Sequence, residues 1–148
     1  MAADDDESEA KAWVERPVTA FPAAPEPLQM IQFFVSGTAS QVFGIDAKSL
    51  SVTDDGVVHY TLIAQSTAGV KNISYEGIRC ASFEMKTYAW GRADGTWGAA
   101  RRDEWLPIAH KVSNRAQAAL ALDYFCQGKA VAAKANQIID KMRAQVVK

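Results

Sequence analysis

Residues 71–97 read KNISYEGIRCASFEMKTYAWGRADGTW, two extended segments joined by a turn and the start of a third. Just upstream, residues 57–65 alternate. Val58, Tyr60, Leu62 and Ala64 share one face, and Val57, His59, Thr61 and Ile63 share the other. Asp54-Asp55-Gly56, Ser66–Gly69 and Asp94-Gly95 punctuate these runs. Asp-Gly pairs accept the positive φ that tight hairpin turns require. Strands joined by such short links pair antiparallel, because a parallel partner needs a crossover of a dozen residues or so. Cys80 sits at the end of one predicted strand, and Cys126, the other of two cysteines, lies far along the chain at the end of an apolar helical pattern. That placement suggests a staple across a small core.

The flanking segments extend the pattern. Residues 30–35 form an almost continuous apolar strand, 43–45 a short edge strand, 46–48 a turn, and 49–53 an alternating segment. Residues 104–108 read as a last short strand, with Pro107 favouring an edge because it cannot donate to a ladder. A helical run follows over 114–126, with Ser113 or Asn114 as N-cap and Gly128 as its stop. A second helix is predicted over 130–147, where Val131, Ala135, Ile138, Ile139, Met142 and Val146 form one stripe. Strands first and helices last argue for an α+β fold, an antiparallel sheet of about five to seven short strands with two C-terminal helices packed on one face.

Length and charge bound the function. The 148 residues, 49% hydrophobic and 22% charged, suit one globular domain. Residues 1–28 carry seven acids against Lys11 and Arg16 (2 − 7 = −5), and four of the five prolines. They are expected to be disordered or loosely attached, with Trp13 and Phe21 as the exceptions able to tuck onto the body. Residues 29–148 form the domain and carry the remaining ten acids and fourteen bases (14 − 10 = +4). That charge is too low and scattered for nucleic-acid binding. No run reaches the roughly 18 apolar residues of a membrane span, and Met1 leads into AADDDESEA with neither a basic start nor an apolar h-region.

The cysteines fit three readings: isolated buried thiols, a disulfide, or a redox or metal site. Metal is disfavoured, since the histidines are only His59 and His110 and no Cys-x-x-Cys spacing exists. His59, mid-strand, reads as a half-exposed packing residue, and His110 as a loop residue. No pattern calls for a cofactor. Tyr75, Glu76 and Arg79 form a polar cluster in which Tyr75, Gly77 and Arg79 share one face and Glu76, Ile78 and Cys80 the other. Gly77 inside a strand signals a bulge or a close backbone approach. Tyr88, Trp90, Arg92, Trp97, Arg101, Arg102 and Trp105 form a candidate binding patch for glycan or peptide, because aromatic faces stack on sugars and arginines grip carboxylates. The competing structural reading makes Trp90 and Trp97 a cross-strand pair pinning a hairpin. The enzymatic alternative is a small hydrolase using carboxylates such as Asp103 and Glu104 in a cleft.

The run DDGVVHYTLIAQSTAGVKNISYEGIRCASFEMKTYAWGRADGTW, with EWLPI and ALDYFC after it, resembles the cryptic neisserial protein family, a small proteobacterial group with no assigned biochemical activity. The likeness spans about Phe33 to Cys126, and NISYEGIRC with YFC carries its specificity. Members bear export signals, often of lipoprotein type, so the resemblance implies a periplasmic or cell-envelope address with the signal, and any lipid anchor, belonging to a precursor. The family's paired cysteines map onto Cys80 and Cys126, which an oxidising periplasm suits. No catalytic residues carry over. The expectation is a non-catalytic module for a protein or cell-wall partner.

Overall fold

The computed structural model describes residues 13–26, 29–36, 40–102, 104–109 and 114–146. Val57–Ser66 (β4) and Lys71–Arg79 (β5) are its longest strands, paired antiparallel along their length. Gly56 and Gly69 adopt φ of 86° and 85° in the turns that bracket β4, as the Asp-Gly and Ala-Gly signals require. Beyond β4 lie Met30–Phe33 (β1) and Gln41–Asp46 (β2), then a 3-10 turn at Ala47–Ser49 and Ser51–Val52 (β3). β2 and β3 pair in succession with β4. On the other flank Glu84–Gly91 (β6) pairs with β5, and Trp97–Ala99 (β7) and Leu106–Pro107 (β8) pair with its two ends. The predicted edge strand at 43–45 is therefore interior, lying between β1 and β4, while Pro107 does occupy an edge.

Arg115–Leu120 (α1) continues as a π-helical turn over Ala121–Phe125. The chain then makes a small hairpin of Cys126–Gln127 (β9) and Ala130–Val131 (β10), and ends in Ala135–Val146 (α2). The fold is α+β, mostly antiparallel sheet with two C-terminal helices. It has ten strands among the described residues, more than the expected five to seven, because two-residue strands β3 and β8 add to the main sheet and two-residue β9 and β10 pair with each other. Cys126 is extended rather than helical, and Gly128, expected as a helix stop, turns the hairpin at φ 62°. The second helix thus starts five positions later than its predicted 130. Asn114 makes no side-chain cap bond; Ser113 and His110 lie outside the described residues.

The helices cover one sheet face. Leu120, Phe125, Ile138 and Met142 meet Val58, Tyr60, Leu62 and Ile78 in the core. The Cys80 and Cys126 sulfurs lie 2.06 Å apart, joining the end of β5 to the chain just after the helical turn. The opposite sheet face is covered too. Residues 13–26, which the sequence groups with a loosely attached tail, run across it as a strap without helix or strand structure. Trp13 is half-buried beneath it, while Phe21, 39% exposed, lies with one side of its ring against Tyr75 and Trp97. Residues 1–12 lie outside the described set.

Candidate functional site

The sheet divides the predicted patch. Between β5 and β6 the register slips at Tyr75/Glu76, so Tyr75 faces Ala89, Glu76 faces Thr87, and Tyr88 is the extra residue. Gly77 makes room for it: a Cβ there would lie 2.7 Å from the Tyr88 hydroxyl and 3.0 Å from Val57. Ser74 pairs with Trp90 and so sends Trp90 to the helix-covered side, near the sheet's edge. Trp97, opposite Gly91, points to the strap side, where its ring lies 6.2 Å from Phe21 and from Tyr75. The expected Trp90–Trp97 cross-strand pair does not form, because neighbouring positions on β6 project to opposite faces.

On the Trp90 side a cleft of about 450 Å³ opens between β6 and the 99–106 segment. Trp90, 52% exposed, forms one wall, and Arg101, Arg102, Glu104 and Leu106 form the rim. Arg102 meets Glu104 at 3.3 Å with both side chains largely in solvent, a contact of little energetic weight that leaves the guanidinium open to exchange partners. Glu104 is therefore an exposed, paired carboxylate; Asp103 lies outside the described residues. Arg92 belongs elsewhere. It holds its own hairpin, donating to the Trp97 carbonyl at 2.8 Å and to Thr96 at 3.2 Å.

The strap side carries a second constellation. The Arg79 guanidinium lies 3.9 Å from the centre of the Trp13 ring, which packs edge-on to Trp105 at 5.7 Å and donates to the Asp55 carbonyl at 2.9 Å. Glu15 accepts from Lys86 at 3.0 Å and from the Tyr88 hydroxyl. Phe21 lies 6.0 Å from Tyr75, and the Trp97 indole donates to the Pro22 carbonyl at 2.7 Å. Burial, followed by the hydrogen bond to Glu15 and then the charge of that carboxylate, pushes the Tyr88 hydroxyl far above its ordinary value, so it stays a donor. His59 is 4% exposed, between Tyr75 at 6.0 Å and Tyr88 at 5.3 Å, and not half-exposed as its strand position suggests. Its Nδ1 has no hydrogen-bond partner among the described residues. Burial depresses its basicity more than Glu15 and Asp55 restore it.

Glu76 points the other way. It is 3% exposed and accepts from Tyr60 at 2.6 Å, Ser74 at 2.7 Å and Gln117 at 2.9 Å, joining β4, β5 and α1. Burial raises its pKa against the lowering effect of those three donors. Glu76 and Glu15 are thus separated by the sheet itself.

Residues 8–143 match the family model described as the CNP1-like family. The chain belongs to the CNP1-like family. Neither the curated proteins nor the solved structures searched gave a match. The match to the CNP1-like family reaches beyond the segment from Phe33 to Cys126 that carries the sequence resemblance, and takes in the strap and most of α2. Among the described residues no group of three or more His, Cys, Asp or Glu is arranged to hold a metal ion, and no helix is long and apolar enough to cross a membrane. Of the predicted patch, the structure brings together Trp90, Arg101 and Arg102 at one cleft, and Tyr88, Trp97 and Trp105 beneath the strap. Sequence alone assigns Glu15 and Lys86 no role, and sets Arg79 in a polar cluster and His59 as a packing residue apart from the patch. The signal that pointed toward them was Trp13 and Phe21, two aromatics in a proline-rich stretch with no strand or helix of its own.

Proposed function

We propose that this CNP1-like chain is a non-catalytic module of the bacterial cell envelope, periplasmic or lipid-anchored in its precursor, that binds a cell-wall component through the Trp90 cleft. A narrower kinship with the cryptic neisserial proteins belongs to the same reading. The observation that carries it is Trp90, half exposed beside Arg101 and Arg102 on the rim of an open cleft. Trp90 and Leu106, both exposed, line the same cleft, and adjoining exposed apolar surface with a polar rim marks binding grooves. An indole face stacks on a sugar ring, and a guanidinium takes a carboxylate through two parallel hydrogen bonds. Cell-wall glycopeptides present both groups together. The envelope address draws support from the Cys80–Cys126 pair at bonding distance, since such links persist in oxidising compartments.

Co-sedimentation of the purified, oxidised protein with isolated cell-wall sacculi tests the proposal. Wild type is expected in the pellet. Trp90→Ala and Arg102→Ala each shift the half-saturation point at least tenfold, a change of about 1.4 kcal/mol. Equal retention of wild type and both variants, or retention of none, contradicts it.

A further inference from the structure

We infer that the sheet face beneath residues 13–26 is a docking groove for an extended segment of a partner protein, and that the strap is its built-in occupant. The partner segment would carry an aromatic residue, a carboxylate two positions on and a second aromatic six positions beyond that. This inference does not rest on the Trp90 cleft, which Trp90 enters from the other sheet face, although Arg102 borders both clefts.

Three sockets define the recognition chemistry. Arg79 and Trp105 hold an indole from two sides. Lys86 and Tyr88 converge on one carboxylate. Tyr75 and Trp97 flank a phenyl ring. The strap fills them with Trp13, Glu15 and Phe21 while adding no strand to the sheet. Its main-chain bonds to the body include the Arg16 amide donating to the Asp55 carboxylate at 2.9 Å and the Pro22 carbonyl accepting from the Trp97 indole. Specificity therefore rests on alternate side chains in pockets, as in extended-peptide recognition generally.

The strap also fits its groove incompletely. A cleft of about 550 Å³ remains between it and the sheet edge, lined by Arg16, Val18, Phe21, Lys86, Tyr88 and Arg102. Phe21, the third anchor, is itself 39% exposed. His59 below keeps a buried nitrogen without a partner. A core layer would have closed these gaps. An occupant tethered in cis has an effective concentration on the order of millimolar, so it need not fit well to stay bound. A better-fitting segment in trans displaces it.

The test uses the full chain and a fluorescent peptide with the sequence of residues 12–26, AWVERPVTAFPAAPE. Trp13→Ala/Phe21→Ala in the full chain vacates two sockets while leaving the groove's own residues intact. Fluorescence anisotropy should show this variant binding the peptide at least tenfold more tightly than wild type. A peptide carrying Glu15→Gln should bind it at least tenfold more weakly. In parallel, a protease site placed at residues 27–28 of the otherwise unaltered chain allows the strap to be nicked free. Labelled peptide should then exchange into the nicked protein. Three outcomes overturn the inference: a folded double variant that binds no better than wild type, a double variant that unfolds, or a nicked protein that never exchanges its strap.

Discussion

Replacing Glu76 isolates what a fully buried carboxylate contributes at the junction of sheet and helix. Glu76→Ala removes the acceptor shared by Tyr60, Ser74 and Gln117. An orphaned buried donor costs about 1–3 kcal/mol. The two hydroxyls can re-aim, so the lower end applies to them, and the three together come to about 3 kcal/mol. The cavity left by the side chain adds about 1 kcal/mol. Relief of the carboxylate's desolvation, visible in its raised pKa, offsets part of the sum. The net loss should be about 3 kcal/mol for Ala but about 1 kcal/mol for Glu76→Gln, which keeps one oxygen acceptor and loses roughly one bond. Urea unfolding at pH 7 without reductant reads both values. The pH profile supplies a second signature. The folded pKa of Glu76 lies above 4.5, so the folded state holds the proton more tightly than the unfolded chain. Its contribution to stability is therefore greatest in acid and declines as pH rises from about 4.5 through the folded value. Glu76→Gln lacks that decline. An alanine variant within about 0.5 kcal/mol of wild type, or a glutamine variant with an unchanged pH slope, refutes the reasoning, since surface-type substitutions fall within that margin.

Three other outcomes follow from particular contacts. His59 has its folded pKa pushed below 6.5, so the unfolded chain binds the proton more readily; stability should fall as pH drops below about 6.5, and His59→Gln should flatten that limb of a melting-temperature profile. Gly77→Ala would press a methyl group against Tyr88 and Val57, costing about 1–3 kcal/mol in denaturant unfolding and shifting the Tyr88 ring resonances by NMR. Cys80→Ser with Cys126→Ser opens a loop spanning 46 positions, for which the chain-entropy model gives about 4 kcal/mol, measurable as a lower urea midpoint that reductant does not lower further.

Strand order and faces were legible wherever local chemistry decides them. The alternation in β4, the Asp-Gly turns, and the partition of Tyr75, Gly77 and Arg79 from Glu76 and Ile78 all appear as read, because side-chain period and turn geometry are properties of a few consecutive residues. The second helix was displaced because the 130–134 segment, apolar enough to continue the stripe, makes the β9–β10 hairpin beside Cys126 instead. The Trp90–Trp97 pairing failed because the Tyr88 bulge and the strand pleat together decide which way each ring points, and a bulge is set by the partner strand. The burial of His59 and the gathering of Glu15, Arg79 and Lys86 escaped notice for a different reason. They depend on a segment with no periodicity crossing the sheet, held by separate side chains whose sockets are distant in sequence.

Recognition of a cell-wall glycopeptide at the Trp90 edge is most directly tested by a ¹H–¹⁵N NMR titration of the oxidised protein with soluble disaccharide-peptide fragments released from sacculi. The account predicts saturable shifts confined to the Trp90 indole, the Arg101 and Arg102 guanidinium signals and the backbone of β6 and β7. No shifts at millimolar fragment, or shifts gathered at the strap with Trp90 unmoved, would contradict it.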